Sequence, residues 1–250
     1  MMTGICRRLP LVVALLCPFP ALAQSVSIDA GARWQANSGT IDFDCARIAN
    51  AGQLDIDSAV LSGIGDLVNT GAVAMIAGSF EVGGDWINHG GFAAGNGSVL
   101  FGDHCDAPQA TIEGNTSFAT LDIASARGKL YRLTDGHTQS ISNALRLNGV
   151  SGSHLMIRST QPGSQARWAL APGGVQQVGW IDVADQAAPA GSQWIALGTP
   201  AAFNSINSGN NFRWFGTPAV AQAIPATSSL LLMLLAGLLA VVGVARFPIR

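Results

Sequence analysis

The sequence predicts an all-β fold, a right-handed parallel β-helix followed by a C-terminal transmembrane helix, and three observations carry that prediction. The first is an internal repeat. Gly65-Asp66-Leu67-Val68-Asn69-Thr70-Gly71-Ala72-Val73 aligns with Gly84-Asp85-Trp86-Ile87-Asn88-His89-Gly90-Gly91-Phe92 at an offset of 19 residues. Gly78-Ser79-Phe80 against Gly97-Ser98-Val99 and Val82 against Phe101 extend the match, and Asn50, Gly52 and Leu54 start it one period earlier. Three copies therefore run over about 46–64, 65–83 and 84–102, and a period near 20 is the signature of a solenoid. The second observation is apolar residues two apart in every copy (Leu54 and Ile56, Phe80 and Val82, Val99 and Phe101), which sends alternate side chains into one core. The third is the Asn-x-Gly unit, read as a corner that uses the left-handed tolerance of Asn and Gly. A β-sandwich of regular hairpins is the alternative, although hairpins do not demand a fixed spacing.

Along the chain, residues 1–23 read as a secretory signal peptide. Arg7 and Arg8 precede an apolar stretch from Leu9 to Leu16, and Ala21 and Ala23 place small residues at −3 and −1, so Gln24 becomes the first mature residue. The apolar run is too short for a membrane span, and Pro18 and Pro20 interrupt it. Residues 24–40 are expected to cap or lead into the first rung of an ectodomain covering 24–215. Beyond residue 103 the period blurs, but 118–123, 145–147, 155–157, 180–183 and 194–197 still read as strands separated by Gly, Ser, Asn and Pro clusters. Residues 216–225 form a spacer.

If each copy is one rung, equivalent residues stack about 4.8 Å apart. Asn50, Asn69 and Asn88 then form a structural amide ladder, each side chain bonding to the next. Cys45 and Cys105 remain in the mature chain, and the sequence leaves their pairing open. Export favours a disulfide. On a regular solenoid, however, three intervening rungs separate them axially by roughly 14 Å, twice the limit of about 7 Å for bridged Cα atoms.

The tail, 226–250, is an address. Ala226 to Ala245 supplies the roughly 20 residues a bilayer requires, with polar residues only at Thr227, Ser228 and Ser229. Arg246 and Arg250 form a basic end that stays cytoplasmic by the positive-inside rule, leaving the solenoid outside. Ile224-Pro225-Ala226-Thr227, the apolar run and the basic end together resemble the IPTL-CTERM sorting signal, a relative of the PEP-CTERM signals of Gram-negative bacteria. Ala226 and Thr227 stand where that family carries Thr-Leu. The stretches GDWINHGGFAAGNGSVLFGDHC, QATIEGNTSFATLDI and NNFRWFG resemble the repeat-rich ectodomains that precede such tails. The resemblance implies an exported envelope or surface protein, handled by an exosortase-type sorting enzyme after the tail inserts in the inner membrane. It implies no defined activity.

Composition agrees with export and narrows the partners. Between Gln24 and Pro225 there are 15 acidic and 9 basic residues, a net −6, so the basic stripe that nucleic acid requires is absent. The carboxylate pairs Asp42 and Asp44, and Asp55 and Asp57, share a face by their spacing of two. They make a carbohydrate-active β-helix the enzymatic alternative, with solvated aspartates the plainer reading. Asp103-His104-Cys105-Asp106 is too compact to converge on a metal, and His89, His137 and His154 are isolated, so neither metal nor cofactor is expected. Trp34, Trp86, Trp168, Trp180, Trp194 and Trp214 are read as core or cap residues rather than a sugar-stacking strip. The expected role is structural or adhesive without catalysis, facing an extracellular polysaccharide or surface matrix. An unprocessed bitopic periplasmic protein is a further alternative.

Overall fold

The computed structural model describes residues 25–216. They form a β-solenoid of about eight turns with three walls. The first wall is a nine-stranded sheet: Ser25–Ile28, Arg47–Asn50, Leu67–Asn69, Trp86–Asn88, Gln109–Glu113, Leu130–Leu133, Leu155–Ser159, Ile181–Ala184 and Ile206–Gly209. The second has four strands, Arg33–Ala36, Gln53–Ile56, Ala72–Met75 and Gly91–Ala93. The third begins with Thr40–Asp42, Val60–Ile64, Ser79–Val82 and Ser98–Phe101, and continues through Thr116–Ala124, Thr138–Asn148, Ala166–Leu170 and Gln186–Ala187, with Val175–Gly179 also pairing on Thr138–Asn148. Every pairing between these strands is parallel, so the hairpins of a β-sandwich do not occur among the described strands.

Registers explain the core. Ile48, Leu67, Trp86, Ile112 and Leu133 succeed one another rung by rung on the first wall. Leu61, Phe80, Val99, Leu121 and Leu145 do so on the third. All ten are buried. Strand alternation turns these columns inward, and burial of each large side chain is worth about 1.5–3 kcal/mol. Trp34 packs edge-on against Phe43 at 6.1 Å and covers the first-rung end of the core.

The 19-residue register holds from rung two to rung four, with Asn50 opposite Asn69 and Asn69 opposite Asn88. The glycines of these corners serve a different purpose from the one the sequence suggests. Gly71 and Gly90 do not have positive φ; a Cβ on either would lie 2.1 Å from the carbonyl oxygen of the glycine one rung earlier. Close approach between rungs, rather than a left-handed corner, demands glycine here.

Three further expectations are corrected. Residues 25–42 do not lead into the first rung; they are a complete rung with a strand on each wall. Residues 194–197 are not a strand. Ile195 makes only an isolated bridge to Trp214, because Ala196 turns to φ +50°. Trp180, at φ +54°, is a bend, and its strand begins at Ile181. The signal segment 1–23 with Gln24, the spacer from residue 217, and the sorting and membrane segment 226–250 lie outside the described residues. Among the described residues no helix is long and apolar enough to cross a membrane.

Candidate functional site

Two side-chain assemblies stand out, an internal polar spine and a clasp across one corner. The spine begins with the three asparagines that end their first-wall strands. Asn50 Nδ2 donates to Asn69 Oδ1 at 2.8 Å, and Asn69 Nδ2 donates to Asn88 Oδ1 at 2.8 Å. Each amide also serves the backbone: Asn50 Nδ2 reaches Ala72 O at 2.9 Å, and Asn69 Nδ2 reaches Gly91 O at 3.0 Å. All three residues are buried, so each bond replaces one that water would otherwise supply. Asn88 Nδ2 and the Trp86 indole N–H both donate to Thr116 Oγ1, at 3.1 and 3.2 Å. Gln139, opposite Thr116, extends the spine by donating to Gly114 O at 2.8 Å, although its own Oε1 is buried without a partner. Farther along, the Trp168 indole donates to Gln186 Oε1 at 2.7 Å.

The clasp sits where the fourth rung turns into the fifth. Cys45 and Cys105 are joined by a disulfide with a Cα separation of 5.4 Å. The axial distance that opposes pairing on a regular solenoid is bridged because residues 102–108 leave the rung pattern and fold back along the corner. There His104 O and Cys105 Cβ lie 2.4 and 2.9 Å from where a Gly83 Cβ would stand, while Cys45 O is 2.3 Å from that position on Gly65. The backbone is unusual at both ends of the bridge. Asp44 and Cys45 have φ of +47° and +61°, and Cys105 and Asp106 have +67° and +49°. Side chains larger than glycine rarely occupy this region.

Beneath the folded-back segment lies Lys129, which is only 3% exposed. Its ammonium donates to Gly83 O and to Gly102 O, and lies 5.2 Å from the Tyr131 ring centroid. Burial pushes the Lys129 pKa below the ordinary lysine value, with Asp103, Asp85 and Asp66 opposing that shift. Tyr131 donates to Gly102 O at 3.2 Å, and burial raises its pKa. Asp103 Oδ2 accepts the amides of Ala126 and Arg127 at 2.6 and 3.1 Å, while its Oδ1 and His104 Nε2 are buried without partners. A recess of about 340 Å³, lined in part by Asp103, Asp106, Arg127, Lys129 and Met156, opens beside them. Lys129 was not among the residues singled out from the sequence. Its available signal is that it is the only lysine in the chain and directly precedes the alternating strand Leu130–Leu133.

The other sequence candidates separate. Asp55 is buried and paired, accepting from Gln53 Nε2 at 2.7 Å and Arg33 Nε at 2.5 Å, and these bonds hold its pKa below the ordinary carboxylate value against desolvation. Asp42 accepts the backbone N–H of Asp44 at 3.0 Å on an exposed turn. The Asp103–Asp106 run places Cys105 in the disulfide, and no group of three metal-ligating side chains forms among the described residues. His89 lies 3.1 Å from Glu113, the Gly114 amide donates to His137 Nδ1, and His154 Nε2 lies 3.1 Å from Asn204 O. Trp86, Trp168 and Trp214 are buried, which removes them from any surface strip. A groove of about 360 Å³ runs over the bend between the second and third walls, floored by small residues including Gly95, Ser117, Ala119, Ser140 and Ala169.

Comparison with known proteins returns no match: no protein family, no curated protein and no solved structure.

Proposed function

We propose that this chain is an exported cell-envelope or surface protein of structural or adhesive type. In this reading a cleaved signal peptide exports the chain, and a C-terminal helix ending in Arg246 and Arg250 holds it in the inner membrane. An exosortase-type enzyme then acts at the segment Ile224-Pro225-Ala226-Thr227. The solenoid, right-handed as parallel crossovers overwhelmingly are, is the displayed part and faces a polysaccharide or surface matrix without catalysing a reaction.

The observation that carries the reading is the organisation of the chain. A rigid solenoid with a continuous core lies between one terminal segment with secretion character and another with membrane-anchor character. Of the carboxylates that the sequence spacing pairs, Asp55 is tied to Arg33 and Gln53, and its pKa moves opposite to that of a general acid.

The test is intact mass and membrane fractionation of the native protein, in a host with its sorting machinery and in one without. Loss of the tail beyond about Pro225 only when the machinery is present supports the reading. Retention of Leu230 to Arg250 in the membrane fraction of both hosts overturns the sorting step and leaves a bitopic envelope protein.

A further inference from the structure

We propose that the Cys45–Cys105 disulfide and the buried Lys129 ammonium form a redox-controlled clasp, in which reduction lifts residues 103–107 from the corner and exposes the only lysine of the chain. The two halves of the clasp hold the same segment from opposite sides. From outside, the disulfide ties Cys105 to the corner between the first and second rungs. From inside, Lys129 and Tyr131 both donate to Gly102 O at the start of the segment.

Little else secures the segment. Apart from the single 3-10 turn His104–Asp106, which is internal to the segment, no backbone N–H from Asp103 to Ala107 donates to a backbone carbonyl elsewhere among the described residues; the neighbouring backbone bonds begin at Gly102, whose N–H donates to Val82 O, and at Pro108, whose carbonyl accepts from Leu130. The Arg127–Asp106 ion pair at 2.5 Å is mostly exposed, with side-chain exposures of 68% and 89%, and solvent screens it. Asp103 contributes its two bonds to the Ala126 and Arg127 amides. Against these stand the consecutive left-handed residues Cys105 and Asp106, and the polar atoms Asp103 Oδ1 and His104 Nε2, buried without partners. Opening relaxes that backbone and returns both atoms to water. The disulfide is the bond that opposes this release.

The chemistry needs a dithiol. One of its thiolates attacks a sulfur of the Cys45–Cys105 bridge and forms a mixed disulfide as the other cysteine leaves as a thiol. The second dithiol sulfur then closes a ring and expels the remaining cysteine. Two electrons pass to the bridge, both cysteines end as thiols, and the dithiol ends as its own disulfide. The step is independent of where the chain is delivered.

The experiment uses the full chain, detergent-solubilised where it fractionates with membrane, incubated with or without dithiothreitol and then with an amine-acylating N-hydroxysuccinimide ester. Acylation is read by peptide mass spectrometry, with the chain's α-amino group as internal reference. Cys105→Ser without reductant is the second arm. The proposal expects Lys129 to be protected when the bridge is intact and acylated about tenfold faster or more after reduction or in C105S, while the amides of Ile157 and Val183 keep their hydrogen-exchange protection. Unchanged protection of Lys129 after reduction overturns it, as does equal reactivity with the bridge intact. Loss of protection at Ile157 and Val183 together with Lys129 also overturns it, because the disulfide then holds the whole solenoid rather than one segment.

Discussion

The four rungs up to residue 101 and the rungs that follow solve one packing problem in two ways. The early rungs are near-copies, with three separate walls, a 19-residue register and identical asparagines stacked on one another. After the excursion at 102–108 the turns lengthen and two walls fuse into long strands, nine residues in Thr116–Ala124 and eleven in Thr138–Asn148. The registers persist nonetheless: Leu121 stacks on Leu145 and Ile123 on Leu147 as regularly as Phe80 on Val99. Inward alternation is therefore sufficient to build the wall. Sequence identity between rungs is needed only where backbones approach closely or where buried amides must bond to copies of themselves.

The largest expected contrast comes from tryptophan. Trp86 is enclosed by Phe80, Phe92, Phe101 and Phe118, with ring centroids between 5.2 and 6.0 Å, and its N–H is bonded. Trp86→Ala should cost about 4 kcal/mol in denaturant unfolding. Trp214→Phe should cost less than about 1.5 kcal/mol, since the buried Trp214 Nε1 has no partner to lose. Equal losses would show that the irregular rungs are as tightly specified as the repeats.

Glycine gives the next contrast. Gly71→Ala drives a Cβ into the Gly52 carbonyl and should cost about 3 kcal/mol, or leave the chain insoluble. Gly173→Ala has open space and only its φ of +85° against it, so it should cost about 1 kcal/mol in thermal unfolding.

The polar spine separates the halves more finely. Asn69→Ala strands the Gly91 carbonyl and breaks the ladder on both sides, for an expected loss of about 2 kcal/mol. Gln139→Met removes an oxygen that has no partner but strands Gly114 O, and the two effects should nearly cancel, to within about 1 kcal/mol. A large loss for Gln139→Met would place the spine's importance in the irregular half as well.

The smallest effects concern pH. Asp55 has a folded-state pKa below 3.8, so its contribution is present above 3.8 and is lost as pH falls through the folded value. Asp55→Asn should lower stability at neutral pH and flatten the acid limb of the melting curve. Asp122 has the opposite sign. Burial raises its pKa despite Arg146, so ionisation opposes folding as pH rises from 3.8 through the folded value. Asp122→Asn should raise stability slightly at neutral pH, and a loss there would mean that the Arg146 pairing outweighs desolvation.

Much of this architecture is legible in local pattern. Apolar positions two apart mark the walls, and the 19-residue offset places Asn50, Asn69 and Asn88 in one column, because both features repeat within a short stretch of chain. The proposed signal segment and membrane tail rest on equally local features, runs of apolar and basic residues. What the tertiary structure alone decided depends on partners distant in sequence. Residues 25–42 become a rung because they pair with the next one, although they lack its asparagine: Ile28 stands opposite Asn50. Glycine is required at position 71 because of a carbonyl one rung away. Cys45 meets Cys105 across a separation of 60 residues because one segment departs from the periodicity that argues against the pairing. Lys129, marked in the sequence only by being the single lysine, becomes an internal cation because that same segment folds over it. Periodicity determines which side chains face inward; where the chain breaks its period, only the three-dimensional path determines what those side chains meet.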